Sequence, residues 1–486
     1  MENSITSSSR SKVFKGLGSQ SFVTIALGLL GILYFSIMSR LLTEEDFGYF
    51  AIVMAVTTIL KSLTEAGLGS AVIQKKEAPL EFVSTAFTLS LILGFIFGVF
   101  LFVTSDFFSY MMVSSYELSW GYRIMSLSLV LYSINSIGRA TIVKKLNFLR
   151  YGLYDIIAYV LSCLVGIYMA YRGYGYYASI VAMILHQAFI TIIMIFFNEM
   201  KVKIRIYKEH INSIVSYGGW LTGSVIVRNI TQEVDKLITT HWIPVSVLGA
   251  YNRPSGFISQ ITGNLNNIFD TILFPILSGI NDSQERIRNS YEKSTILILL
   301  YSIILTAIFI LGSDTLISIF LGNKWLYLDK IFQIVSLSIV FMCYGRLADC
   351  FYRSLGIVKS YFYTRCCVLI CTIVSIFIGC QFGLFGLAVG VIFSRAADSI
   401  AKVIILQKYI NMNGRKYYGS LCNALLVPFI LFLVCYIIKI FIPYGGPISV
   451  TVFCVALFCV SVFVPKLLGL IYYDNIYMVV KSKIKK

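Results

Sequence analysis

The chain reads as an all-α polytopic membrane protein of about fourteen transmembrane helices. Three observations predict this. Of 486 residues, 58% are hydrophobic and only 13% charged, with a mean hydropathy of +0.82; soluble domains carry roughly 25% charge. Continuous apolar runs of about 20 residues, the length that crosses a bilayer, recur along the whole sequence. Basic and acidic residues segregate into alternate connections between those runs. A large outer-membrane barrel would show alternating strands of about ten residues instead.

In order, the apolar runs lie near 17–38, 46–66, 82–104, 120–142, 152–171, 174–197, 212–240, 247–275, 294–313, 331–352, 361–380, 383–405, 420–442 and 447–473. The first follows a polar, basic start, MENSITSSSRSKVFKG, and is long enough to remain a span rather than be cleaved as a leader. The seventh, eighth and tenth are the most polar. Cys163, Cys371, Cys435 and Cys454 fall inside apolar runs and no CxxC pair occurs, so the cysteines read as small buried hydrophobes rather than a disulfide framework.

The charges set the orientation. Arg10, Lys12 and Lys15, then Lys75 and Lys76, then Arg139, Lys144, Lys145 and Arg150 fall on alternate connections. Lys201, Lys203, Arg205 and Lys208 continue the series, as do Arg286 with Arg288, Arg353 with Lys359, Lys408 with Arg415, and the tail Lys481 to Lys486. The intervening turns hold Glu44, Glu45 and Asp46; Asp106 and Glu117; lone Arg172; Asp314, Lys324, Asp329 and Lys330; or, in QFG and PYGGP, no charge. By the positive-inside rule both termini are expected in the cytoplasm and TEED on the outer side. The net charge of +17 then belongs to cytoplasmic loops, and nucleic acid is not an expected partner. No loop is long enough for a folded external domain.

A weak internal repeat is present. Gly18 precedes one span and Gly48-Tyr49 opens the next; Gly218 precedes one span and Gly249-Ala-Tyr251 opens the next. SIGRATIVKK resembles CYGRLADCFYR about 200 residues on. Six spans separate the copies, so the halves would share one orientation, as in transporters built from parallel repeats. A smaller echo pairs Arg346, Asp349 and Arg353 with Arg395, Asp398 and Lys402, each set on one helix face.

Ionisable groups at membrane depth mark candidate sites. In the eighth run Arg253, Gln260, Asn264 and Asn267 form a polar stripe at helical spacing. The seventh carries Arg228 and Asp235 on one stripe, with Glu233 and Lys236 beside it. Lys61 and Glu65 lie near the inner end of the second, and Arg123 near the outer end of the fourth. Two readings stand. Such groups satisfy one another between packed helices, as Arg228 and Asp235 would. Alternatively the cations Arg253, Arg228, Arg123 and Lys61, with Gln260, Asn264 and Asn267, line a wet cavity that receives an anion such as pyrophosphate. Arginine suits that task because its planar fork binds phosphate oxygens bidentately and keeps its charge. Asp235, Glu233 and Glu65 are the candidates for coupling to protons or cations. His186, His210 and His241 show no metal-ligand spacing. No GxxxxGK[ST], HExxH or GxSxG occurs. No metal, cofactor or catalytic residue is expected, and the chain reads as a non-enzyme.

Several stretches, SRLLTEEDFGYFAIV, GLGSAVIQKKE, RATIVKKLNFLRYGLYDII, LGAYNRPSGFISQITGNLNN, LFPILSGINDSQERIRNSYEKS and SLGIVKSYFYTR, resemble the polysaccharide repeat-unit exporters. These are the O-antigen and capsule flippases, often called Wzx-type, of the MATE-like MOP superfamily. The resemblance implies two six-helix lobes, 1–210 and 211–410, around a central cavity, with 411–486 supplying two further helices and a basic tail. It implies movement of an undecaprenyl-pyrophosphate-linked oligosaccharide across the bacterial inner membrane by alternating access, for O-antigen or capsule synthesis. Its partners would be that lipid-linked substrate, membrane lipids, and the polymerase and chain-length regulator of the same pathway. The rival readings are a MATE-type small-molecule antiporter, a flippase for the peptidoglycan precursor, and a membrane polymerase of polysaccharide assembly. The first fits poorly with cationic stripes, and the polymerase with the lack of a large external loop.

Overall fold

Helices account for nearly all of the described chain. The structure is a computed structural model that describes residues 7–65, 67–75, 78–144, 147–197, 203–278 and 284–412. The runs expected near 420–442 and 447–473 and the basic tail lie outside these residues. In order the helices are α1 (Ser7–Leu41), α2 (Glu44–Glu65), α3 (Leu68–Gln74), α4 (Leu80–Val103), α5 (Ser105–Val113) and α6 (Ser119–Lys144). They continue with α7 (Phe148–Tyr171), α8 (Tyr177–Phe196), α9 (Lys208–Thr239), α10 (Val245–Ser278) and α11 (Gln284–Leu311). The last are α12 (Ser313–Leu316), α13 (Asp329–Ser336), α14 (Ser338–Ser354), α15 (Val358–Cys380) and α16 (Gly383–Tyr409). No strand occurs among the described residues. Eight stretches, within α1, α2, α4, α7, α8, α11, α13–α14 and α15, are long and apolar enough to cross a membrane. α6, α9, α10 and α16 are as long but carry more polar side chains. The chain is a multi-pass membrane protein.

The described residues fall into two compact units. The first takes Met1–Ile272 and Ile357–Ser394, the second Leu273–Gly356 and Arg395–Lys486. In the first, α4 packs along α6, α7 along α8, and α9 along α15. The α4 contact follows from its small residues. Ala86, Ser90, Gly94 and Gly98 repeat every fourth position on the buried face, while Phe95, Ile96, Val99 and Phe102 point outward. Lipid offers no hydrophobic drive for helix association, so close backbone approach supplies it. Ser90 Oγ donates to the Ser133 carbonyl at 3.1 Å, and a Cβ on Gly94 would strike Ser133.

The acidic stretch has a structural duty. Thr43 and Asp46 form a capping box: the Thr43 N–H reaches Asp46 Oδ2 at 2.9 Å, and the Asp46 N–H returns to Thr43 Oγ1 at 3.2 Å. Asp46 Oδ1 also accepts the Tyr176 N–H at 2.9 Å. Gly175, at φ +55°, passes so close to that carboxylate that no side chain fits. One carboxylate thus starts α2 and ties it to the turn between α7 and α8.

α2 and α10 meet through their first turns. A Cβ on Gly48 would overlap the Val245 carbonyl, and one on Gly249 would overlap that of Glu44. The same shift in numbering carries Glu44 onto Val245 and Gly48 onto Gly249. The contact is therefore reciprocal, the form a two-fold axis imposes, and it joins the two glycines that the internal repeat pairs.

Residues 203–207 run beside α4 with a bend at Ile204, where the Arg205 N–H also reaches the Lys203 carbonyl at 2.9 Å. Every second N–H is held by a hydroxyl: Lys203 by Ser84 at 3.1 Å, Arg205 by Thr88 at 3.0 Å and Tyr207 by Thr85 at 3.1 Å. In the second unit a helical break at Leu337 separates α13 from α14. There Lys402 of α16 is 1% exposed and bridges Asp349 at 3.0 Å and Asp398 at 2.6 Å. The two echoing motifs meet in one ion triad around a buried lysine.

Candidate functional site

The polar stripe of α10 faces α1. Arg253 lies over Phe35, Gln260 against Gly31 and Asn264 against Gly28. The order reverses between the helices, as antiparallel neighbours require. The glycines of α1 make the room: a Cβ at Gly28 would stand 2.8 Å from Asn264 Nδ2, and one at Gly31 would overlap Gln260 Nε2. Asn267, the last member, is exposed.

Arg253 is 6% exposed, and its guanidinium carbon lies 4.1 Å from the Phe35 ring centroid and 3.0 Å from that of Phe47. Among the described residues it forms no hydrogen bond or ion pair. Buried charges are ordinarily paired, because an uncompensated one is costly to desolvate. Here aromatic faces hold the cation through their quadrupoles. That grip leaves its five N–H donors uncommitted. The arrangement suits reversible capture of an oxyanion.

The other predicted residues fall into separate surroundings. Arg228 and Asp235 are half-buried on α9. Asp235 Oδ1 accepts the Lys236 N–H at 2.8 Å, and Glu233 pairs with the Lys236 ammonium. Arg123 is held by Asp106 at 2.8 Å and Ser105 at 3.0 Å, with Trp120 on its flank.

Lys61 and Glu65 line a cavity of about 470 Å³ among α2, α3, α6, α7 and α8. Lys61 Nζ stands 3.8 Å from the Tyr132 ring centroid, and Tyr132 Oη donates to Glu65 at 3.0 Å. His186 Nε2 contacts Asp155 Oδ1 at 2.9 Å on the same wall. Asn135 bridges to Gln187 at 2.9 Å and accepts Thr191 Oγ1 at 2.9 Å. Arg139, exposed at one edge, stacks 5.6 Å from the Tyr151 centroid. Sequence reasoning missed Asp155, Tyr132 and the part Arg139 plays here. A lone carboxylate inside an apolar run was the available signal for Asp155.

A sequence profile of the family described as "Polysaccharide biosynthesis protein" matches residues 37–330. The "Lipopolysaccharide biosynthesis protein WzxC" of Escherichia coli (strain K12) is 22% identical over 335 residues, 67% of this chain and 66% of that protein. The chain thus spans about two thirds of that relative. The "Teichuronic acid biosynthesis protein TuaB" of Bacillus subtilis (strain 168) is 21% identical over 374 residues, 72% of this chain and 75% of that protein. Among solved structures, "Lipid II flippase MurJ, inward closed conformation" superposes with a TM-score of 0.72, covering 94% of this chain and 99% of its own at 14% identity. The chain shares the fold of that helical membrane protein.

Proposed function

The chain belongs to the polysaccharide biosynthesis protein family, and from that premise we propose that it is a flippase for lipid-linked oligosaccharide repeat units. It would carry an undecaprenyl-pyrophosphate-linked headgroup from the cytoplasmic to the periplasmic leaflet by alternating access, for O-antigen or capsule synthesis. The names of WzxC and TuaB, a lipopolysaccharide and a teichuronic acid biosynthesis protein, support a saccharide cargo.

The carrying observation is Arg253, a buried cation clasped by Phe35 and Phe47 with its donors free. A headgroup of sugars and pyrophosphate cannot cross hydrocarbon unaided. A polar path shields it while the lipid tail stays in the bilayer. Arg253 would meet the pyrophosphate by charge-assisted, bidentate hydrogen bonds. Ring faces leave the guanidinium edge open to the anion, where a carboxylate partner would occupy it. Gln260 and Asn264 continue the polar path along α10. Arg228, Arg123, Lys61 and Asn267 are secondary candidates, and Asp235, Glu233 and Glu65 remain those for ion coupling.

In this reading the protein sits in the bacterial inner membrane with both termini in the cytoplasm and acts without chemistry on its cargo. The Gly48–Gly249 crossing lies toward the periplasm and is closed. Lobes 1–210 and 211–410 would rock about the path, with 411–486 as an accessory. A polymerase and chain-length regulator would receive the product.

The test is deletion of the gene in its native bacterium, followed by analysis of surface polysaccharide and of lipid-linked units. Loss of polymer with units held on the cytoplasmic leaflet, restored by wild type and poorly by Arg253→Ala, is expected. Normal polymer would overturn the reading in favour of a small-molecule antiporter. Single units still reaching the outer leaflet would point to a polymerase.

A further inference from the structure

The hairpin of α15 and α16 carries a groove of about 480 Å³, lined by residues between Ser375 and Phe393 of the first unit. Glycines make its floor. A Cβ on Gly379 would overlap the Gly386 carbonyl, one on Gly386 that of Gly379, and one on Gly390 that of Ser375. Backbone thus lies against backbone. Phenylalanines make the walls: Phe382, Phe385 and Phe393 all point outward, Phe382 with 73% of its surface exposed.

The lining suits no polar ligand. Among its residues only Ser375 has a polar side chain. The next hydroxyls inward, Thr372 and Ser394, are buried and bond each other at 2.6 Å. Between Arg365 and Arg395 the sequence holds no Asp, Glu, Lys, Arg or His. An apolar cavity stays dry, and unfilled space beside ring faces forfeits dispersion contacts. α15 is long and apolar enough to span the membrane, so an outward apolar groove along it is met by hydrocarbon.

Depth places the groove within one leaflet. Gly383 opens α16 at the turn, and Phe393 follows ten residues on, about 15 Å at the helical rise. The hydrocarbon core is about 30 Å thick. In the orientation set by the basic loops, the turn and the groove belong to the outer leaflet. Two hydrocarbons could lie there, a phospholipid acyl chain or the polyprenyl tail of a cargo. The geometry favours the first. Backbone contact along the floor fixes the width of the groove, and its confinement to one leaflet does not suit a tail that starts in the other.

We propose that this groove is a resident-lipid site, which holds one acyl chain of an outer-leaflet phospholipid and so completes the packing of α15 on α16. The proposal needs only that the chain spans the membrane and is independent of what it carries.

Full-length protein, stripped of lipid in dodecyl maltoside, would be reconstituted with phosphatidylglycerol bearing a diazirine on its acyl chain, and the labelled peptides mapped after illumination. In wild type the label should concentrate between Ser375 and Phe393 and saturate. Val389→Trp, which fills the groove from its rim, should abolish the label there. Ile370→Trp, on an outward part of α15 beyond the groove, should leave it unchanged. Label spread evenly over the outward faces of α15 and α16 overturns the proposal, and that result needs no variant to fold. So does displacement of the probe by undecaprenyl phosphate at a concentration roughly tenfold below that of unlabelled phosphatidylglycerol, which would make a polyprenyl tail the occupant. Export lost with phospholipid labelling intact would count against the flippase reading alone.

Discussion

Arg253 and Phe47 are stacked, the guanidinium carbon 3.0 Å from the ring centroid, with Phe35 at 4.1 Å completing a clasp. A desolvated cation–π contact contributes about 2 kcal/mol. Replacing Phe47 by Leu keeps apolar bulk and removes the quadrupole. The expected result is a lower unfolding temperature and surface polymer reduced about tenfold in a complementation assay. A double variant with Arg253→Gln should lose little more than Arg253→Gln alone, because the ring acts through the cation.

The first turns of α2 and α10 allow no side chain between them. Gly249→Ala places a Cβ on the Glu44 carbonyl, so the crossing must part. Labelling of Asn252→Cys by a membrane-impermeant maleimide from the periplasmic side should rise, and polymer export should fall. Gly256→Ala on the same helix meets only the Phe35 ring, at 3.6 Å, and should behave as wild type.

Lys402 holds two carboxylates in the interior of its unit. Lys402→Met leaves Asp349 and Asp398 without their shared cation, a loss on the order of 3–5 kcal/mol for a broken buried ion pair. Thermal unfolding in detergent should show a marked drop. Adding Asp349→Asn and Asp398→Asn should recover part of it, since both carboxylate charges are then gone.

Segment 203–207 is held to α4 by three hydroxyls. Replacing Ser84, Thr85 and Thr88 by Ala removes hydrogen bonds contributing about 1 kcal/mol each. Trypsin should then cut after Lys203 or Arg205 faster in inside-out vesicles, while cleavage elsewhere is unchanged.

Much of this was readable from the sequence for physical reasons. Apolar length and the helical period marked the spans and the α10 stripe, because both are local properties of the chain. TEED was legible by charge as a turn, and Thr43-x-x-Asp46 also carried a capping signal that charge alone does not convey. Partners at long range were not legible. Nothing distinguishes Phe35 and Phe47 from other phenylalanines until α1, α2 and α10 are packed. The cavity beside Lys61 draws on five helices, so its donors and acceptors meet only in the fold. The Lys402 triad lay between: the two motifs echoed each other, but their shared cation emerged only from the packing of α14 on α16.

The Gly48–Gly249 crossing also limits which changes the chain can accept. Where side chains meet, a change on one helix can be answered on the other. At this crossing each Cβ would meet main-chain carbonyl oxygen, which no substitution can remove. The two glycines are therefore constrained together, each by the other helix's main chain.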